Sequence, residues 1–114
     1  MLIKKAAALS ICLLTTACVF NMPTPVNQIT PTYVSTLNYE AFDCNKLTVE
    51  ADSLARREAM LVAAQAQRIK SSDAQAFWTG TGQGDGMEAV ELSRVRGERE
   101  AVSKARALKA CPAL

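Results

Sequence analysis

The sequence predicts an all-α fold, a two-helix antiparallel hairpin with a disulfide at its open end, preceded by a disordered linker. Three observations predict it. Two charged, Ala-rich segments of similar length flank a Gly-studded connector, and a cysteine stands at each outer end, Cys44 and Cys111. The midpoint between those cysteines falls between Phe77 and Trp78, inside the connector. Aromatic residues make up only 5% of the chain, so a core must be built from Ala, Leu, Val and Met, which suits closely packed helices better than a sandwich or barrel.

The first arm is expected as a helix over about 44–70, a stretch without Gly or Pro. Asp43 is a candidate N-cap whose carboxylate can accept from free amides of the first turn, and Phe42 can pack on Leu47 as a staple. Leu47, Ala51, Leu54, Ala55, Val62 and Ile69 recur mostly at steps of three, four or seven, the spacing of one helical face. Asp52 precedes Arg56 by four, the favoured order for an exposed ion pair. Arg68 and Lys70 fall where cations suit the dipole of a helix ending at 70.

The connector, 71–86, holds Phe77-Trp78 and then Gly80, Gly82, Gly84 and Gly86 at alternate positions. Alternating glycines can form anion-binding nests, but neither the third glycine of a dinucleotide fingerprint nor a Gly-Lys-Ser/Thr run is present. Gly82-Gln83-Gly84-Asp85 is similar to one fragment of a calcium-binding nonapeptide, an architecture that needs stacked repeats. A flexible turn without a ligand is therefore expected. Phe77 and Trp78 have two readings: they cap the end of the hairpin core, or they form a contact for a partner or a lipid interface.

The second arm is expected as a helix over about 87–110. Val90, Leu92, Val95, Val102, Ala105 and Leu108 supply its apolar side, and Arg94, Arg96, Glu98, Arg99, Glu100, Lys104 and Arg106 its charged side. Gly97 is a local weakness of up to about 1 kcal/mol relative to Ala, or a site of close helix approach. Arg99 interrupts the apolar stripe and either snorkels or points at a neighbouring molecule. Pro112 disfavours a helical residue before it and ends the arm at Cys111.

Residues 1–17 have the layout of a secretory signal: Lys4 and Lys5, an uncharged run from Ala6 to Ala17, and small residues before Cys18. That run is short for a membrane-spanning helix, which needs roughly 17–25 residues. Leu13-Leu14-Thr15-Thr16-Ala17-Cys18 resembles the lipobox of bacterial lipoproteins, with Thr15 where Leu, Val or Ile usually stands. The resemblance implies acylation of Cys18, with a diacylglyceryl group and a further acyl chain such as palmitate. The alternatives are ordinary cleavage after Ala17, leaving a free thiol, and an uncleaved anchor. Val19 follows Cys18 in place of the Asp that typically retains lipoproteins in the inner membrane, which implies an outer-membrane anchor facing the periplasm; an inner-membrane anchor or a soluble periplasmic protein are the alternatives.

Residues 18–38 form a Pro/Thr-rich linker. From Val19 to Asn38 there is no charged residue, and Pro23, Pro25 and Pro31 exclude a helix or central strand. This reads as a tether reaching roughly 60 Å when extended. Residues 39–114 would form the hairpin, bridged at its tethered end and presenting its aromatic tip away from the anchor.

Once residues 1–17 are removed, eleven basic and eleven acidic side chains remain, and no basic stripe with interleaved aromatics is left to bind nucleic acid. Cys12 would leave with the signal. In an exported chain the pair Cys44 and Cys111 reads as a disulfide. With no histidine in the chain, neither a metal site nor general-base catalysis is expected, and no cofactor or catalytic residue is assigned.

Tyr39 with Asp43-Cys44 and Leu47, the stretch from Glu50 to Arg57, Phe77-Trp78 with its glycines, and Leu92 to Gly97-Glu98 ending in Lys109-Ala110-Cys111 resemble small uncharacterised bacterial envelope lipoproteins. The resemblance spans about residues 39–111 and implies a coiled, paired-cysteine helical hairpin with a Gly-containing tip, made more polar here by Thr79, Gln83 and Asp85. It implies no activity. The expected role is structural or accessory, through the N-terminal lipid and through a protein partner or self-association along the helix faces or at the tip. The alternative is a macromolecule-binding module such as an exclusion, immunity or secretion-system component.

Overall fold

The computed structural model describes residues 20–114. Helix α1 runs over Cys44–Thr79 and helix α2 over Met87–Leu108, antiparallel and joined at the open end by the Cys44–Cys111 disulfide. The all-α hairpin and its bridge are as expected. At 36 residues, α1 is roughly 54 Å long.

Both ends of α1 follow from local chemistry. Asp43 is the N-cap, accepting from the Lys46 amide at 2.7 Å. At the other end α1 continues nine residues beyond the expected stop at Lys70, because Ser71 to Trp78 holds no Gly or Pro. Gly80 stops it in the left-handed conformation (φ 75°), its amide donating to the Ala76 carbonyl at 2.8 Å. The turn expected over 71–86 is accordingly shortened to 80–86. Helix α2 ends with Ala110 in the left-handed region (φ 49°), where the Cys111 amide donates to Arg106 and the Ala110 amide to Ala107. This is a Schellman ending without its usual glycine, and it carries Cys111 back toward Cys44.

The largest departure from expectation concerns the uncharged segment after Cys18. Residues 20–42 are not a free tether. They form a strap that starts beside the glycine connector and runs the length of the hairpin to its bridged end, with 3-10 turns at Val26–Gln28 and Thr36–Tyr39. The Phe20 amide donates to the Gly80 carbonyl at 3.3 Å and the Gly82 amide to the Phe20 carbonyl at 2.8 Å. Midway, the Thr32 amide reaches the Ser93 carbonyl at 2.9 Å, and at the far end Lys109 Nζ donates to the Glu40 carbonyl at 2.6 Å.

Proline content excluded a ladder but not docking, because the strap's polar groups find partners on the helices. Arg96 Nη1 donates to the carbonyls of Val26 (2.7 Å) and Ile29 (2.6 Å), Gln65 Nε2 to that of Thr24 (2.9 Å), and Ser93 Oγ to that of Thr30 (2.6 Å). The strap also supplies core. Ile29 is buried with Ala89 and Leu92, and Tyr39 with Leu47, Leu54, Val95, Ala101, Val102 and Ala105. Two helices alone would bury little; the strap is the third layer.

Of the predicted apolar positions, Leu47, Leu54, Leu92, Val95, Val102 and Ala105 are buried, whereas Val90 and Leu108 are exposed. In the second half of α1 the fully buried side chains are polar, Gln65 and Ser72. The Arg99 side chain is about half exposed. It pairs with Glu58 across the hairpin, and Glu58 also accepts from Arg96 Nε at 3.1 Å. Asp52 and Arg56 form the expected exposed pair.

Gly97 serves a close approach, but of the strap instead of the partner helix. A Cβ there would lie 1.7 Å from the Thr32 carbonyl oxygen. Gly97→Ala should therefore lower stability by about 1–2 kcal/mol in urea or thermal melts, although Ala would gain about 1 kcal/mol of helix propensity were the site free. Gly97→Ala at or above wild-type stability would refute the contact. Ala110→Gly should raise stability by about 1 kcal/mol in the same assay, by relieving the left-handed Ala.

Candidate functional site

The glycine connector is a receptor for the start of the strap. The Gly84 amide donates to the Asn21 carbonyl at 2.7 Å, and Asn21 Nδ2 donates to the Gly82 carbonyl at 3.4 Å. A Cβ on Gly82 would sit 2.6 Å from Met22 Sδ and 2.8 Å from the Asn21 carbonyl oxygen, so only a bare backbone lets the strap lie this close. The alternating glycines are thus used for main-chain approach, with the Gly82 and Gly84 amides taken by the strap carbonyls of Phe20 and Asn21.

Behind the connector, Asp85 and Gln65 lock the strap to the connector and to α1. Asp85 accepts from the Thr24 amide (2.7 Å), the Thr24 hydroxyl (2.5 Å) and Gln65 Nε2 (3.0 Å). The Thr24 hydroxyl hydrogen bond holds the Asp85 carboxyl below the usual carboxylate range, against a smaller opposing effect of burial, with help from the Thr24 amide, Gln65 and Arg68. Gln65 is fully buried, and its Oε1 has no protein partner among the described residues. Ser72, also fully buried, accepts from the Gln83 amide at 3.0 Å. Arg68 bridges to Glu88 at 3.2 Å, tying α1 to the first turn of α2.

Beyond this lock lies the tip. Phe77 and Trp78 occupy the last turn of α1, 80% and 83% exposed, with ring centroids 5.1 Å apart in an edge-to-face pair. They do not cap the core; Ala76 is the buried residue of that turn. Phe20, 65% exposed, lies at the same end through its bridge to Thr81. From Ala74 to Gly84, and from Phe20 to Tyr39, no residue carries a charge.

Among the sequence-predicted site residues, Cys44 and Cys111 are brought together in the bridge, and Phe77 and Trp78 are brought together at the opposite end. Cys18 and the signal-like residues 1–17 lie outside the described residues. A recess of about 410 Å³ between strap and α2 is lined by Thr24, Ile29, Asp85, Ala89 and Ser93. Its one carboxylate, Asp85, accepts hydrogen bonds from Thr24 and Gln65. Sequence reasoning missed Gln65, Ser93 and Arg96 as strap ligands. The available signal was Ser93, Arg96 and Gly97 at i, i+3 and i+4, a small-and-polar face beside the apolar stripe.

The chain matches no family model, and neither the curated proteins nor the solved structures compared with it yield a match. Among the described residues, no helix is long and apolar enough to cross a membrane.

The lock titrates in acid. The Asp85 carboxyl has a lower pKa folded than unfolded, and so does Glu58, where burial acts upward but the hydrogen bonds from Arg99 and Arg96 outweigh it. Each group binds its proton more readily in the unfolded chain. Their stabilisation is therefore present above the ordinary carboxylate pKa, about 4, and is lost as pH falls through the lower folded values. Melting temperature should be level from pH 7 to 5 and fall below about pH 4. Asp85→Asn should lower stability at pH 7 and flatten the acid limb; an unchanged limb would remove Asp85 from the lock.

Proposed function

We propose that this chain is a lipid-anchored protein of the bacterial cell envelope with a structural or accessory interaction role and no catalysis. In this reading Cys18 is acylated after cleavage behind Ala17, and the hairpin faces the periplasm from the outer membrane. The lipobox-like Leu13–Cys18 stretch and the wider resemblance to small envelope lipoproteins support the compartment. One structural observation carries the role: from Phe20 onward, two residues past the candidate lipid site, the backbone is hydrogen-bonded to the hairpin. An anchor at Cys18 would thus be joined to a rigid body and would fix the position of a rod roughly 54 Å long. That suits a spacer or an accessory subunit.

A second reading, a macromolecule-binding module such as an exclusion, immunity or secretion-system component, is favoured by the outer face of the hairpin. Val49 and Met60 on α1 are exposed, and a groove of about 440 Å³ has an apolar floor of Val49, Ala51, Ala55 and Leu114 with Thr48, Asp52 and Arg99 at its polar side. An apolar groove of this kind suits a helix from a protein partner or from a second copy.

Intact mass of the membrane-extracted protein tests the anchor. The expected species begins at Cys18, carries a diacylglyceryl group plus an acyl chain, and gains about two mass units on reduction of its one bridge. Cys18→Ser should move the protein out of the membrane fraction. An unmodified chain beginning at Cys18, or one retaining residues 1–17, would overturn the lipid-anchored reading.

A further inference from the structure

The strap reverses the geometry expected of a tethered hairpin. A free linker ending at the bridged end would hold the aromatic tip away from the anchor. Instead, the chain joins the folded body at the tip, where Phe20 is hydrogen-bonded to Gly80 and Gly82. Cys18 precedes Phe20 by two residues, and two residues span at most about 7 Å. The Cys44–Cys111 bridge lies at the far end of α1, roughly 54 Å away.

Three properties fit that tip to a bilayer surface. Its exposed large side chains are aromatic: Phe20, Phe77 and Trp78. Trp is enriched where hydrocarbon meets headgroups, because its ring is apolar and its N–H still finds a polar partner. The tip also carries no ionised group from Ala74 to Gly84 or from Phe20 to Tyr39, so its last turn can enter the headgroup layer without stripping water from a charge, and exposed Asp73, one turn behind Phe77, sets the limit of that entry. The nearest carboxylate in the connector, Asp85, is turned to Thr24 and Gln65 of the lock. Finally, Phe77 and Trp78 already sit edge to face on a helix end held by the Gly80 cap, so little side-chain ordering remains to oppose insertion.

We infer that the Phe20, Phe77 and Trp78 tip docks into the interface of the bilayer that holds the Cys18 lipid, so that the hairpin stands tip down with its disulfide end outward. This rests on the anchor proposed above. The lipid supplies one membrane attachment and the aromatic tip a second, which fixes the orientation of the hairpin as well as its attachment. The outward end then presents the bridge and the neighbouring Leu108.

Trp78 is the only tryptophan, so intrinsic fluorescence reads the tip alone. The test takes the full acylated protein, purified from membranes and reconstituted into phosphatidylcholine vesicles, with and without bromine on the upper acyl chain. Trp78 is expected to lose most of its emission in brominated vesicles and to emit further to the blue than in detergent-free buffer. In a Trp78→Phe, Leu108→Trp protein, whose reporter sits at the exposed bridged end, emission should be indifferent to bromine. Flotation of the protein with the vesicles and full emission from Trp78 would overturn tip docking while leaving the anchor intact, and would point to a protein partner for the aromatic pair. Quenching of the Leu108→Trp reporter in place of Trp78 would overturn the orientation. Absence of both acyl mass and flotation would remove the anchor reading, and this inference with it.

Discussion

A segment with no ladder of its own can join a folded body only if its backbone comes close enough to exchange hydrogen bonds, and here glycine makes that approach possible. At Gly97 the Thr32 carbonyl rests where a Cβ would otherwise be, and at Gly82 the Asn21 carbonyl and Met22 thioether do the same. These two contacts set the height of the strap above the helices. Ile29 and Tyr39 can then enter the core, and Arg96, Gln65 and Lys109 can reach strap carbonyls. Without that proximity the molecule would be two helices with narrow Ala-rich stripes, held mainly by a disulfide.

The polar interior follows from the same arrangement. A strap rich in proline offers carbonyls with few amides to match, so it needs donors that reach in from outside. Arg96 serves two carbonyls and also meets Glu58, which Arg99 shares. The partly buried charges of Arg96 and Glu58 are tolerated there because each donor has an acceptor. At the bridged end Arg106, itself buried, donates to Thr48 Oγ1 and to the Pro112 carbonyl, tying the residues around Cys111 to α1. The two ends are therefore fastened by different means, a covalent bridge with an arginine at one and a glycine-backbone clasp with a lock of buried Gln65 and exposed Asp85 at the other.

This asymmetry bears on function more than any pocket does. The bridged end is covalently closed. The clasped end carries the exposed aromatic pair and receives the chain from the side of Cys18. Any force or position imposed through the amino terminus is thus delivered to the tip and passed along both helices and the strap together. On the outer face of α1, Val49 and Met60 stay exposed, outside both the core and the clasp.

The hairpin itself was legible because its determinants are local or covalent. Helical periodicity from Leu47 to Leu54 and from Leu92 to Ala105, the Asp43 cap, the absence of breakers, and two cysteines at matched ends each act within a turn or impose one pairing. The length of α1 was underestimated because the connector's glycines and the mid-chain symmetry drew the turn back to residue 71, whereas helix formation ends only at the first left-handed residue, Gly80. What the amino-acid order could not disclose is where the uncharged segment goes. Pro23, Pro25 and Pro31 are equally compatible with a free tether and with a docked strap, since both lack a ladder. The choice between them is made by contacts some sixty residues apart in sequence, Thr24 with Asp85 and Thr32 with Ser93. Sequence by itself determined the two helices, their bridge and the aromatic pair; tertiary structure alone decided which end of the rod meets the incoming chain, because that depends on a fit between backbones that no side-chain pattern records.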